Sequence, residues 1–149
     1  MENTFDDRQR GDYRLTADVT QLSVDTIHRW LATEAYWARG RSRDTVETSL
    51  RNSYVYGVLS ASGETVACVR VVTDGATFAW ITDAFVDAVV RGQGLGTWMV
   101  GEVTEHWLAA GVPRVVLGTA DAHDVYAKVG FVPLAFPERF MEIDRRAKY

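Results

Sequence analysis

Three consecutive runs, Tyr54 to Leu59, Thr65 to Thr73 and Thr77 to Val86, are rich in Val, Tyr, Phe and Thr, the residues that favour strands. Ser60-Ala61-Ser62-Gly63 and Asp74-Gly75 lie between them as turns, and an Asp-Gly pair is a strong hairpin signal. The three runs therefore predict an antiparallel meander. A different period comes next. Leu95, Met99, Val103 and Trp107 recur every four residues, the spacing of a helix that lays one face on a sheet. Gly111 ends that helix as a C-cap glycine, and Pro113 prevents its continuation.

Upstream of the meander, Ser23 is a good N-cap, and Val24, Ile27, Leu31 and Ala35 fall on one helical face. That helix runs out around Tyr36 to Gly40. Ser42 caps a second helix that buries Val46 and Leu50. Tyr13 to Thr16 reads as the first strand, and residues 1–12, which lack periodicity, as a loose tail. Downstream, Arg114 to Thr119 is a short buried strand reached through a helix, which implies a parallel pair and a right-handed crossover. Ala122 to Val129 is a short helix stopped by Gly130; Phe131-Val132 and Arg139 to Ile143 suggest a closing hairpin around Pro133 and Pro137. The prediction is a single α+β domain over 1–149, a mixed and mostly antiparallel sheet of six or seven strands with helices on both faces.

Composition narrows the class. With 47% hydrophobic and 24% charged residues the chain is an ordinary globule, and no apolar run reaches membrane-spanning length. Its polar, acidic N-terminus lacks a signal segment, and Cys68 has no cysteine partner, which suits a reducing cytoplasm. Cys68 itself reads as a small buried hydrophobe. A net charge of −4 argues against general nucleic-acid binding, which needs surplus Lys and Arg, and favours a cationic small substrate. Arg39, Arg41, Arg43 and Arg51 cluster as a solvated face, with contact to an acidic acceptor or a coenzyme phosphate as the alternative.

The chemistry gathers at the junction of the third meander run and the long helix, Val86-Asp-Ala-Val-Val-Arg91-Gly92-Gln93-Gly94-Leu95-Gly96-Thr97. Alternate glycines let the backbone turn tightly and present successive amides, and the helix aims its own free amides and positive dipole end at the same place. Such a loop takes an anion, and a diphosphate suits it best. A P-loop is excluded because no lysine stands near, and a dinucleotide fingerprint fails because Thr97 or Met99 occupies the third glycine position. Arg91-x-x-Gly94-x-Gly96, with Val86 five residues before it, resembles the acyl-CoA-binding signature of the GNAT superfamily of N-acyltransferases. Asp121 to Phe131, with Tyr126 and the Gly130-Phe131 ending, resembles that family's other recurrent segment. The resemblance covers Tyr54 to Ile143 well and the first fifty residues in outline.

The resemblance implies acetyl-CoA as donor, gripped at its pyrophosphate by Arg91, Gly92, Gln93, Gly94, Leu95, Gly96 and Thr97. It implies that the fourth and fifth strands splay, and that the backbone of Ala84, Phe85 and Val86 pairs with the pantetheine arm while the Val86 N–H polarises the thioester carbonyl. Tyr126 matches the tyrosine that returns a proton to the coenzyme sulfur. Asp83, at the strand end, is the candidate base or amine anchor. The segment Trp80 to Val86 is similar to polyamine-type acetyltransferases, but Thr82 stands where a second carboxylate belongs. Tyr36, Trp37 and Trp80 are the candidate acceptor-pocket residues, and His123 with Asp121 is a reserve base. No metal site is expected: the three histidines are dispersed, and Glu105-His106 lacks a second histidine. The activity implied is acetyl transfer to the primary amine of a small molecule in a ternary complex, by a monomer or homodimer. A protein N-terminal or lysine acetyltransferase, a non-catalytic coenzyme A module and a domain for another phosphate ligand are the alternatives.

Overall fold

The computed structural model describes residues 4–146. Six strands lie in one sheet in the order of the sequence: β1 (Arg8–Arg10), β2 (Tyr13–Thr16), β3 (Tyr54–Leu59), β4 (Thr65–Thr73), β5 (Ala79–Val86) and β6 (Val115–Leu117). The first five pair antiparallel and β6 joins β5 in parallel, as the intervening helix requires. Helices α1 (Val24–Arg29) and α2 (Arg43–Arg51) precede the meander, α3 (Leu95–Ala109) makes the crossover and α4 (His123–Val129) comes after β6.

The sheet is covered on both faces, by two separate cores. On one, Tyr56, Val69, Val71 and Ile81 meet Met99, Val103 and Trp107 of α3. Full burial of such side chains stabilises by about 1.5–3 kcal/mol each. On the other, Val55, Leu59 and Phe85 meet Ile27 of α1, Val46 of α2 and Trp30 just after α1, with the Trp30 and Phe85 rings stacked at 5.2 Å. Cys68 belongs to this second core, and burial pushes its thiol upward, out of the reactive range.

Three expectations need correction. Residues 4–12 of the supposed tail are anchored: Phe5 is buried edge-on against Tyr56 and His106, and Arg8–Arg10 pairs with Tyr13–Thr16 as an added strand. A lone apolar residue among charges has no period to betray it. The strand expected from Thr77 begins at Ala79, because the Asp74 carboxylate accepts from the amides of Ala76 and Thr77 and holds them in the turn. The closing hairpin is not formed among the described residues: 131–146 carry only a single helical turn at Pro137–Arg139.

The pairing of β4 with β5 contains one irregularity. Cys68 faces Phe85 and Arg70 faces Thr82, so Asp83 and Ala84 together stand opposite Val69 alone. This is a β-bulge, with Asp83 at φ 53°, a left-handed conformation that Asp tolerates better than most residues. Side chains alternate along a strand, so one inserted residue exchanges the faces beyond it. Ile81 packs beneath α3, whereas Phe85 packs against Trp30 on the opposite side.

Candidate active site

The ladder between β5 and β6 holds only from Ala79↔Val115 to Ile81↔Leu117, after which β6 ends and β5 continues to Val86. The strands thus part midway along β5. Asp87 donates its N–H to the Val66 carbonyl on the β4 side at 2.8 Å, so by alternation the polar backbone groups of Ala84 and Val86 face the open side. A cleft of about 1080 Å³ opens there. Its floor is the second half of β5; its walls are the end of the first helix and the β6–α4 connection with Tyr126.

The first helix reaches the cleft by widening. After Arg29 it continues as a π-turn over Trp30–Glu34, closed by the Ala35 amide on the Trp30 carbonyl at 2.9 Å. Tyr36 and Trp37 come directly after it, edge to face at 5.0 Å. The Tyr36 hydroxyl accepts from the Ala120 amide at 2.9 Å and so ties this wall to the connection before α4. Thr119 Oγ1 in turn accepts from the Ala122 amide at 3.0 Å, fixing the turn that leads into α4.

Asp83 lies at the base of the cleft, 5% exposed, and it is fully engaged. Oδ1 accepts from the Trp37 indole N–H at 2.9 Å; Oδ2 accepts from Arg41 Nη1 at 2.9 Å and Arg70 Nε at 3.0 Å. A carboxylate with three donors and two guanidinium neighbours is built to hold those groups in place. Tyr126 faces the cleft from α4, and desolvation chiefly, with Tyr36 and Asp121 nearby, raises its pKa above the ordinary 10.0. It therefore keeps its proton through the neutral range.

At the end of β5, Gly92 and Gly94 take φ values of 84° and 74°, which L-residues with a side chain rarely adopt. The amides of residues 92–97 have no acceptor among the described residues, and Trp98 is the first to bond back, to the Gly94 carbonyl at 3.0 Å. A Cβ on Gly96 would lie 3.2 Å from Val86 Cγ2, so glycine lets α3 start close against β5. The loop is a nest of free N–H groups at a helix start, the backbone chemistry that binds a diphosphate.

A model of the acetyltransferase (GNAT) family matches residues 24–131 of the chain. A GNAT-family protein of known structure from Xanthomonas campestris pv. campestris is 34% identical, with a TM-score of 0.83, and the match covers 91% of this chain and 94% of that one. The chain belongs to the GNAT family of acetyltransferases. A Gibberella zeae protein described as a candidate acetyltransferase is 30% identical over 140 residues, 80% of this chain and 78% of the relative. The glucosamine-6-phosphate N-acetyltransferase of Arabidopsis thaliana shares the fold, with a TM-score of 0.61 at 15% identity over 92% of this chain and 97% of that one.

Membership of the GNAT family implies an acyl-CoA donor, and the amides of 92–97 and the part of β5 that β6 leaves uncovered are the groups that could hold one. Of the residues singled out in the sequence, Tyr36, Trp37, Trp80, Asp83, Ala84, Phe85, Val86, Arg91 and Tyr126 come together at the one cleft. Gly92, Gln93, Gly94, Gly96 and Thr97 stand outside it as the adjoining loop and helix start, and the Leu95 side chain is buried, leaving only its amide available. Arg91 bends back: its Nε donates to the Val86 carbonyl at 2.9 Å and its guanidinium lies 5.2 Å from the Phe85 ring centre. Sequence reasoning missed Arg41 and Arg70 as partners of Asp83, and Glu34 and Glu142 as cleft residues. It also missed Arg10, whose Nη1 donates to the Gly94 carbonyl at 2.9 Å, and Tyr13, whose hydroxyl donates to Gln93 Oε1 at 3.2 Å. The Arg70 position at mid-strand could have hinted at a buried acid; nothing local marks the others. Among the described residues no group of His, Cys, Asp and Glu is arranged to hold a metal ion. No described helix is long and apolar enough to cross a membrane.

Proposed function

We infer that the chain transfers an acetyl group from acetyl-CoA to the primary amine of a small cationic molecule, by direct attack with both substrates in the cleft. The observation that carries the acceptor class is a charge imbalance. Three guanidiniums line the cleft: Arg41 is paired with Asp83 and Arg146 with Asp144, while Arg91 donates to a neutral carbonyl and keeps its charge for the donor's diphosphate. Glu34, Asp121 and Glu142 also line the cleft, and none of them forms an ion pair among the described residues. Four carboxylates against three guanidiniums, beside the faces of Tyr36, Trp37 and Trp80, suit an organic ammonium group.

The donor supplies an activated thioester. The amides of 92–97 would hold its diphosphate, and the open edge of Ala84–Val86 would hold its pantetheine arm as an added strand. The amine would attack as the free base, with the Val86 N–H polarising the carbonyl; as the C–N bond forms and the C–S bond breaks, Tyr126 would give its proton to the departing sulfur and regain one from the attacking nitrogen. Asp83 serves as a positioning residue, fixing Trp37 and Arg41 against the cleft. In a released-thiol assay over a panel of amines, cationic amines without a carboxylate should be acetylated and acidic amines such as aspartate should not. Replacing Glu34, Asp121 and Glu142 together by amides should raise KM for the amine about tenfold, equal to about 1.4 kcal/mol, while leaving that for acetyl-CoA unchanged. Equal rates with acidic and cationic acceptors would refute the assignment.

A further inference from the structure

Strand β1 reaches α3 at two places. Arg8 Nε pairs with Glu102 Oε2 at 3.2 Å, and Arg10 Nη1 donates to the Gly94 carbonyl at 2.9 Å. Residues two apart on a strand share a face, so both contacts come from the same side of β1. Tyr13 stands opposite Arg10, the last pair before the turn at Gly11-Asp12, and its hydroxyl donates to Gln93 Oε1 at 3.2 Å. Arg10, Tyr13 and Gln93 line one hollow beside the glycine loop, and none of the three lines the cleft.

The bond to Gly94 fixes more than a carbonyl. The Gly94 C=O and the Leu95 N–H belong to one planar trans peptide, so they point in opposite directions. That carbonyl accepts from two donors, the Trp98 amide at 3.0 Å and Arg10, and its direction is set by both. The Leu95 amide, which has no acceptor among the described residues, is thereby held pointing out of the helix start. Gly94 sits at φ 74° and has no side chain of its own to resist turning, so a bond from outside the helix is what steadies it.

Charge is the second observation. Arg10 forms no ion pair among the described residues, and Asp12, in the same hollow, does not pair with it. Its guanidinium stays on the helix, 6.0 Å from the Trp98 ring centre. A cation at the positive end of the fifteen-residue α3 is opposed by the helix dipole. An anion seated on the same amides would relieve that opposition.

We propose that Arg10 is a positioning residue for the coenzyme. From outside the cleft it sets the Gly94–Leu95 peptide and adds positive charge where the diphosphate of acetyl-CoA docks. The proposal rests on the reading that the amides of 92–97 hold that diphosphate. It makes the N-terminal hairpin part of the donor site, although the family match begins only at residue 24.

The test is calorimetric titration of the full chain with coenzyme A and with dephospho-coenzyme A, which lacks the 3′-phosphate and keeps the diphosphate. R10M should bind both about tenfold more weakly than the wild type, and R10K, which keeps a charge and a donor, should recover most of the loss. With an amine that the wild type acetylates, R10M should raise KM for acetyl-CoA by a similar factor and leave kcat and the KM for the amine unchanged. Free R10M should be no less stable than the wild type, because the side chain is exposed. R8M, which cuts the neighbouring contact, should bind coenzyme A as the wild type does. Undiminished affinity in R10M overturns the proposal. An equal loss in R8M does so too, since attachment of the hairpin would then be the cause. A loss seen with coenzyme A alone also overturns it, by placing Arg10 on the 3′-phosphate. A wild type that binds neither compound overturns the donor reading itself, whereas tight binding of both by wild type and R10M alike removes only the role of Arg10.

Discussion

Tyr126 and Asp83 both bear ionisable groups into one cleft, and their surroundings give them opposite tasks. Burial of Tyr126 disfavours its phenolate, and neighbouring Tyr36 and Asp121 add to the effect, so the acid form persists above the ordinary value of 10.0. A general acid works while protonated, so the alkaline limb of the kcat profile should lie above pH 10.0. Y126F should lower kcat about 10²-fold and flatten that limb, with little change in KM for acetyl-CoA. Undiminished turnover would remove Tyr126 from the proton path. Asp83 instead secures two guanidiniums and an indole. D83A would leave Arg41 and Arg70 partly buried without their counter-charge, and urea unfolding should show a loss of about 3 kcal/mol. The sequence placed the Asp83 carboxylate at the strand end, whereas β5 continues to Val86 and Asp83 sits at a bulge within it. Its partners were not legible: Trp37, Arg41 and Arg70 lie far from it along the chain, and only the bulge turns it toward them.

Elements with a repeating apolar period were legible because the period reports burial directly. The Leu95, Met99, Val103 and Trp107 row is buried as expected, and the Ser23 and Ser42 side chains cap their helices by accepting from the amides of Thr26 and Thr45. The π-turn at Trp30–Glu34 was not legible, since one extra residue per turn leaves an apolar pattern almost unchanged. The loop between β5 and α3 was legible through its glycines alone. G94A tests it: the residue needs φ 74°, and a Cβ would come within 3.2 Å of the Arg10 guanidinium. We expect a cost of about 1–2 kcal/mol in stability. Saturating acetyl-CoA should stabilise the wild type by about 2.7 kcal/mol at a hundred times Kd, and G94A by much less, in matched thermal-shift series. Equal protection of both would show that the loop does not hold the coenzyme.

For the molecule as a whole, strand order could be read ahead of the structure because each turn signal joined neighbours. The two ends were harder. β1 is held by Phe5 and by Arg8 on Glu102, contacts between residues far apart along the chain, and segment 131–146, for all its strand-like composition, forms no strand among the described residues. Strands β1 to β5 are consecutive neighbours, so long-range closure enters largely at β2–β3 and at β6. β6 can dock only after the fifteen-residue α3 has crossed the sheet and its strand has returned beside β5. The gap in which chemistry takes place is bounded by that last arrival. Because the strand that bounds the gap reaches the sheet only by way of α3, damage to the packing of that helix should be felt at the substrates as well as in the interior.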